Sequence, residues 1–274
     1  KVSLDTQNGL KIDVTTEEKD IKTYKPKLTK NVVEPIINGP NYFKEMISAV
    51  RGAKESVDIE TFLYYTGEKT EALTRALVLK AAGLREGSDR LHYDPLATKG
   101  VPVHVLFNNK KLTVEGAQPT INQLKDGMAK LEKEIKALPI TEPQKKMYID
   151  RLHENLKWGI IADGVAKADH RKVLVIDGQT GYVGGINLGN HFLQEDSYHD
   201  MALKISGPAV GEIHKELATN WHDFTGQRKE KFNLKSEKEL EKYRNSYASE
   251  KGEAVAKADV IVTDDQSNEI ESAI

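Results

Sequence analysis

Hydrophobic and polar positions alternate along most of the chain in a way that predicts an α/β domain. Residues 57–63 alternate with period two, as in a strand, and residues 69–83 have the spacing of a helix that ends at Gly83. The run 173–176 is continuously apolar, which is typical of a strand buried on both faces. A further alternating strand at 200–205 is followed by a helix that begins at Pro208. The pattern predicts a mixed β-sheet flanked by helices.

The same patterns divide the chain into segments. Residues 1–31 are polar and without periodicity, and we interpret them as an extended lead-in. The predicted domain occupies residues 32–225. Within it, the mostly polar stretch 108–157 predicts two helices that form an insertion or lid over the sheet. Residues 226–256 are highly charged and predict a linker with one solvated helix.

The end of the chain repeats a pattern found near its start. Residues 261–274 (IVTDDQSNEIESAI) align without gaps on residues 37–50 (INGPNYFKEMISAV) and share four identical residues. One interpretation is a coincidence between two generic strand-to-helix junctions. The other is that a second, truncated copy of the same unit starts at about residue 257, which would make the length of 274 residues a cut point.

The amino-acid composition excludes several kinds of active site and disfavours one class of binding protein. The chain has no cysteine, which excludes disulfides, a thiolate nucleophile and cysteine-ligated metals. Its 40 Lys and Arg residues against 42 Asp and Glu residues give a net charge of −2, which disfavours a strongly basic nucleic-acid binder. The longest apolar run is far shorter than the roughly 20 residues that span a bilayer.

Most of the candidate catalytic residues lie in one predicted hairpin. His170 and Lys172 are two residues apart, so on a strand their side chains point to the same face. Asp177-Gly178 predicts a turn, after which the chain returns through Gly184-Gly185 to Asn187. The glycines permit close backbone approach and leave room for an anion. Histidine as nucleophile, lysine as point charge and asparagine as amide donor suit attack on phosphorus without a metal.

The spacing His170-x-Lys172-x4-Asp177-x6-Gly184-Gly185-x-Asn187 resembles the HKD signature of the phospholipase D superfamily. Flanking segments resemble this family as well, in particular bacterial cardiolipin synthases and phospholipases D. They read GPNYFKEMISAVRGAKESVDIETFLY, KGVPVHVLF and HDMALKISGPAVGEIHKELATNWHDFTG. The resemblance covers about residues 32–225 and departs from the family at the insertions 84–98 and 108–157 and in the charged tail.

The resemblance implies a mechanism with two facing motifs. One histidine attacks phosphorus and forms a phosphohistidine, and the other protonates the leaving alcohol. This chain carries one motif, with His170 as the implied nucleophile. Asp200 matches the family acid that orients the histidine of the opposing copy, although an exposed strand-end role also remains open. For Asp177 a structural turn role and direct chemistry both remain open, and Gly184 and Gly185 are assigned to substrate binding.

The expected function is hydrolysis or transfer at a phospholipid phosphodiester, with peripheral membrane contact and no cofactor. The second motif is expected from a C-terminal half or from a second chain. Two alternatives stay open, a superfamily nuclease that works as a homodimer and an inactive half. His191 and His199 lie near the motif, but their spacing fits no standard ligand pattern, so no metal is predicted. The compartment stays open among the membrane periphery, the periplasm and secretion from a bacterium.

Overall fold

The computed structural model describes residues 2–5, 9–12, 28–108, 116–161, 169–195, 198–251 and 255–258. The described strands are β1 (Val2–Asp5), β2 (Gly9–Ile12), β3 (Thr29–Ile37), β4 (Val57–Thr61), β5 (Leu84–Glu86), β6 (Leu91–Tyr93), β7 (Val103–Asn108), β8 (Leu156–Ile161), β9 (Lys172–Ile176), β10 (Thr180–Gly184), β11 (Met201–Ser206) and β12 (Val255–Ala258). The described helices are α1 (Gly39–Gly52), α2 (Glu68–Ala82), α3 (Gln118–Ala137), α4 (Glu142–Asn155), α5 (Asn190–Leu193), α6 (Ala209–Thr225) and α7 (Glu237–Lys251).

A mixed sheet forms the centre of the fold. Its eight strands lie in the order β12-β3-β11-β10-β9-β4-β7-β8. The neighbours β4, β7 and β8 run parallel, and every other pair in this sheet is antiparallel. The predicted α/β class with a mixed sheet is confirmed. The apolar run 173–176 lies in β9, between β10 and β4, where neighbouring strands cover both of its edges.

The stretch 108–157 contains the two predicted helices, but its place in the fold differs from the prediction. It connects β7 to its parallel neighbour β8, and a parallel pair requires such a crossover. Helices α3 and α4 pack against α2, with Leu124, Leu131 and Leu152 fully buried. The expectation of a lid over the sheet is therefore wrong, because the apolar side chains of these helices are used to extend the helical layer.

One face of the sheet carries the main apolar core. Ile59, Leu174 and Tyr182 lie side by side on β4, β9 and β10 and are buried. The ring of Tyr182 contacts Tyr42 of α1 at 6.5 Å between centroids, and its hydroxyl donates to Glu45. Helices α1 and α2 cover this face. Gly83 ends α2 in the left-handed conformation that the sequence predicts for a helix-terminating glycine.

The opposite face packs on α6 and contains buried polar groups. Asp58 of β4 accepts hydrogen bonds from His104 of β7 at 2.6 Å and from His214 of α6 at 3.0 Å. Burial alone would raise the pKa of the Asp58 carboxyl, but these two hydrogen bonds hold the pKa below its ordinary value. Trp221 of α6 and Phe232 pack against His104 and complete this layer.

The domain boundaries differ from the predicted ones at both ends. Residues 29–258 form one compact unit, which therefore includes the predicted linker. Helix α7 packs against β3, β11 and α6, with Leu240 buried, and β12 pairs with β3. Helix α7 has a charged surface that is typical of a solvated helix, but its few apolar side chains are enough to dock it on these elements.

A second unit comprises residues 1–28 and 259–274. The antiparallel hairpin β1–β2 is described within the predicted lead-in. From residue 259 onwards, the predicted second repeat lies outside the described residues. No described helix has the length and apolar character needed to cross a membrane.

Candidate functional site

The polar residues of the predicted hairpin meet at one end of the central strands. Lys172 is the first residue of β9 and pairs with Thr61, the last residue of β4. His170 precedes β9 by two residues, and Asn187 follows the end of β10. The backbone N–H of Leu63, just beyond β4, donates to Asn187 Oδ1 at 3.2 Å, which ties the two segments together. Three predicted site residues therefore share the edge where β4 ends and β9 begins.

His170 and Lys172 are in direct contact. The Lys172 ammonium donates to the backbone oxygen of His170 at 2.6 Å and lies 3.2 Å from His170 Nδ1. Lys172 is 6% exposed, whereas His170 is exposed to solvent. The imidazole is accessible to a ligand, and the ammonium beside it is held in place by its surroundings. A fixed positive charge next to an accessible imidazole suits the binding and attack of an anionic phosphorus centre.

An aromatic side chain that sequence reasoning missed supports both residues. The ring of Phe62 lies 4.2 Å from the His170 ring and 4.8 Å from Lys172 Nζ, measured to the Phe62 ring centroid. Phe62 is 7% exposed, so its position is fixed by packing. In the sequence Phe62 is simply one residue of the alternating stretch 57–63, and only the structure shows that it directly follows β4.

The glycine pair lies where β10 approaches β11. A Cβ atom on Gly184 would lie 2.4 Å from the backbone oxygen of Met201, so this position requires glycine. A Cβ atom on Gly185 would lie 2.3 Å from Asp200 Oδ1. Asp200 is thus brought against the glycine pair, and its Oδ1 also accepts the N–H of Met201 at 2.7 Å. The close backbone approach expected of these glycines is present in the structure.

Asp177 lies at the opposite end of β9 from His170. Its carboxylate accepts hydrogen bonds from the backbone N–H groups of Lys54, Glu55 and Ser56, at distances of 2.7 to 3.1 Å. These N–H groups belong to the connection between α1 and β4. The structure therefore does not bring Asp177 together with His170, Lys172 and Asn187.

The residues on either side of His170 are held on the α6 face. Asp169 Oδ1 accepts the N–H of Arg171 at 2.9 Å, and its Oδ2 lies 3.2 Å from both Arg171 Nε and Asn220 Nδ2. Asn220 also donates to Glu60 at 2.8 Å. Burial and the neighbouring Asp169 carboxylate raise the pKa of Glu60 to about 8. Sequence reasoning missed these residues because they lie on three separate elements.

His191, one of the two histidines near the motif, contacts aromatic rings. Its ring lies 5.1 Å from Tyr65 and 4.1 Å from Phe192, between centroids. Within the described ranges no cluster of three or more His, Asp or Glu side chains is arranged to hold a metal ion.

Comparison with known proteins agrees with the motif. The family model described as "Cardiolipin synthase, PLD-like domain" matches residues 46–221, more than half of the chain. The chain therefore belongs to the phospholipase D superfamily, as the signature at His170 predicted. Cardiolipin synthase A of Pseudomonas fluorescens is 25% identical over 201 residues, which are 72% of this chain and 34% of that protein. Cardiolipin synthase A of Pseudomonas putida is 25% identical over 207 residues, 74% of this chain and 36% of that protein. The chain thus spans about a third of the length of these curated relatives.

Two solved structures resemble the chain at low identity. NucT from Helicobacter pylori matches with a TM-score of 0.41 and 15% identity, over 71% of this chain and 95% of that one. Phosphatidylserine synthase from Haemophilus influenzae matches with a TM-score of 0.46 and 14% identity, over 84% of this chain and 46% of that one.

Proposed function

We propose that this protein hydrolyses or transfers the phosphodiester of a phospholipid through a covalent intermediate on His170. The observation that carries the proposal is the contact between an accessible His170 and the buried ammonium of Lys172, 3.2 Å from its Nδ1. The curated relatives named cardiolipin synthase A support a phospholipid as substrate. The net charge of −2 supports a lipid over a nucleic acid.

Each site residue has a defined role in the proposed reaction. An imidazole nitrogen of His170 attacks phosphorus, a P–N bond forms, and the P–O bond to the leaving alcohol breaks. Lys172 stabilises the charge on the phosphoryl oxygens. The oxygen of the Asn187 side chain is engaged by Leu63, so its NH2 end is the end that donates to a bound phosphoryl oxygen.

The proposed reaction is completed by a second motif. The leaving alcohol takes a proton from a general acid, which we assign to the histidine of that motif, in the same protein or in a second chain. The same group then removes a proton from water or from an acceptor alcohol, whose oxygen attacks the phosphohistidine and releases His170. Asp200, placed against Gly185, is assigned to orient the opposing histidine. Gly184 and Gly185, which permit the close approach of Met201 and Asp200, present their backbone to the substrate in this proposal.

Two assays on the full-length protein test the proposal, namely headgroup release from anionic phospholipid vesicles and cleavage of plasmid DNA. His170→Ala is expected to lower headgroup release at least about 10³-fold, because removal of a nucleophile disables the whole catalytic unit. His153→Ala is the matched control, since His153 is an exposed histidine on α4 that pairs with Glu132. Full lipid activity in His170→Ala would overturn the proposal. DNA cleavage that depends on His170, without headgroup release, would overturn the lipid substrate and favour the nuclease.

A direct test looks for the intermediate. Reactions on a phospholipid that are quenched with denaturant at mildly alkaline pH are expected to contain a base-stable, acid-labile phosphatidyl adduct, and peptide mapping should place it on His170. Lys172→Met should lower the rate of its formation, whereas Lys146→Met, at an exposed helix position, should not. An adduct on another residue would overturn the assignment of His170.

A further inference from the structure

Residues next to His170, the nucleophile proposed above, are held by hydrogen bonds on the face of the sheet that packs on α6. Asn108, the last residue of β7, holds the Asp169 backbone at two points: its Nδ2 donates to the Asp169 carbonyl at 2.7 Å, and its Oδ1 accepts the Asp169 N–H at 3.2 Å. β4 lies between β7 and β9 in the sheet and ends at Thr61. The Asn108 side chain thus supplies the hydrogen bonds of a strand partner immediately before His170.

The Asp169 side chain then forms a turn around His170. Its Oδ1 accepts the N–H of Arg171, two residues ahead, at 2.9 Å, which defines an Asx turn with His170 at its centre. Its Oδ2 is held by Asn220 of α6 at 3.2 Å and pairs with Arg171 Nε at 3.2 Å. This arrangement fixes the backbone on both sides of His170.

The side chains that hold the backbone beside His170 are buried. Asn108 and Asn220 are each 8% exposed, and the Asp169 side chain is also 8% exposed. Asn220 additionally donates to the buried Glu60 at 2.8 Å, so its own amide orientation is determined. Buried groups with several hydrogen bonds keep one geometry, and a displacement of about 1 Å at a reacting group can cost about 10²-fold in rate.

We propose that Asp169, together with Asn108, is a positioning residue that orients the imidazole of His170 through the Asx turn and the two-point backbone clamp. The inference rests on the proposed function of His170 and deepens it. Neither residue touches the substrate in this proposal. Both hold the backbone from the α6 face so that His170 and Lys172 project together from the opposite face.

Two substitutions separate the turn from the charge. Asp169→Asn keeps an oxygen that accepts the Arg171 N–H but turns an NH2 group toward Asn220 Nδ2 and Arg171 Nε, whereas Asp169→Ala removes both acceptors. For headgroup release by the full-length protein, Asp169→Ala should lower kcat about 10- to 100-fold with KM within about threefold, and Asp169→Asn, which keeps the turn, should lose at least about threefold less than Asp169→Ala. Asn108→Ala, which removes the clamp and leaves the turn, should lower kcat in the same way and replaces Asp169→Ala if that variant does not fold.

Asp94 provides the matched control. It makes the same kind of Asx turn, to the N–H of Leu96 at 2.9 Å, in the connection that precedes β7. Asp94 also pairs with the buried Lys80, so Asp94→Ala should destabilise the fold at least as much as Asp169→Ala. Its kcat should remain within about threefold of the parent. If Asp169→Ala and Asp94→Ala lost kcat equally, general destabilisation would explain the loss, and the positioning role of Asp169 would be overturned.

A measurement without turnover tests the geometry itself. NMR couplings about the χ1 angle of His170 should report one rotamer in the parent and in Asp169→Asn, and an average over rotamers in Asp169→Ala. Unchanged couplings and unchanged kcat in Asp169→Ala would overturn the inference. So would an equal loss of kcat in Asp169→Asn, since the contacts of Oδ2 with Asn220 and Arg171 would then matter rather than the turn. If His170→Ala were fully active, the proposed function would fail, while the NMR comparison would still decide the positioning.

Discussion

The ring of Phe62 lies 4.2 Å from the imidazole ring of His170, with an angle of 55° between the ring planes. The same ring contacts the Lys172 ammonium at 4.8 Å. A buried aromatic ring thus supports both groups proposed to act on phosphorus. Such a ring attracts a nearby ammonium by about 0.5–2 kcal/mol and limits the rotation of an adjacent imidazole.

Phe62→Leu should lower the rate of headgroup release about 3- to 10-fold, because it removes the aromatic contact to Lys172 and His170. Phe62→Tyr should retain most of the activity. Steady-state kinetics on vesicles measure both. Phe43→Leu is the control, since Phe43 contacts Lys69 at 5.3 Å in a comparable cation–aromatic pair that involves neither site residue. Equal losses in Phe62→Leu and Phe43→Leu would contradict a local effect.

Gly185→Ala should lower the free energy of unfolding by up to about 1 kcal/mol, because its Cβ atom would lie 2.3 Å from Asp200 Oδ1 and displace this carboxylate from the Met201 N–H. Urea unfolding measures the change in the free energy of unfolding. Asp200→Gly combined with Gly185→Ala should recover part of the loss, since the colliding carboxylate is gone. Gly52→Ala is the control and should be neutral or stabilising, since nothing lies within 4 Å of its Cβ position. Strict additivity of the two changes would argue against this contact.

Asp177→Ala should lower the free energy of unfolding by about 2–4 kcal/mol, because three backbone N–H groups lose a charged acceptor. Chemical denaturation measures this effect, and Asp177→Asn should lose less than Asp177→Ala. Asp223→Ala serves as the control, since Asp223 forms an exposed ion pair with Arg228. If Asp177→Ala matched Asp223→Ala in stability, the structural contribution of Asp177 would be refuted.

Glu60→Gln should change how stability depends on pH. In the folded protein the pKa of Glu60 is about 8, and in the unfolded chain it is near 4.5, so folding takes up a proton between these values. The contribution of Glu60 is therefore fully present below about pH 4.5 and is lost as the pH rises to about 8. The loss is on the order of 1 kcal/mol per pH unit.

Chemical denaturation of the parent and of Glu60→Gln between pH 5 and 9 tests whether stability falls as the pH rises. The variant should gain stability relative to the parent as the pH rises, because glutamine cannot ionise. Glu142→Gln, whose side chain is 84% exposed, should follow the parent at every pH. Parallel curves for Glu60→Gln and the parent would show that Glu60 does not take up a proton on folding.

Sequence reasoning was most successful where one local pattern is enough. The period-two strand, the helix that ends at Gly83 and the apolar strand 173–176 are all present. The spacing of His170 and Lys172 identified the motif, although His170 lies in the turn just before β9 and not on the strand itself. The superfamily followed from the same motif and its flanks.

Sequence reasoning failed where segments that are far apart along the chain come into contact. The helices within 108–157 were predicted, but their role as a crossover depends on the pairing of β7 with β8, which no local pattern encodes. The docking of α7 through Leu240 depends likewise on a surface formed by other elements. Phe62, Asp169 and Asn220 acquire their relation to His170 only when β4, β9 and α6 come together.

By itself, the sequence determined the α/β class from its periodicity and the superfamily from its resemblance to the HKD signature. The same signature places His170, Lys172 and Asn187 close together along the chain. Only the tertiary structure decided that Asp177 binds the connection before β4, that Asp200 lies against Gly185, and that the backbone beside His170 is anchored to α6. The physical reason is that hydrogen bonds and steric contacts between residues far apart in sequence depend on strand order and helix packing. These are collective properties of the folded chain.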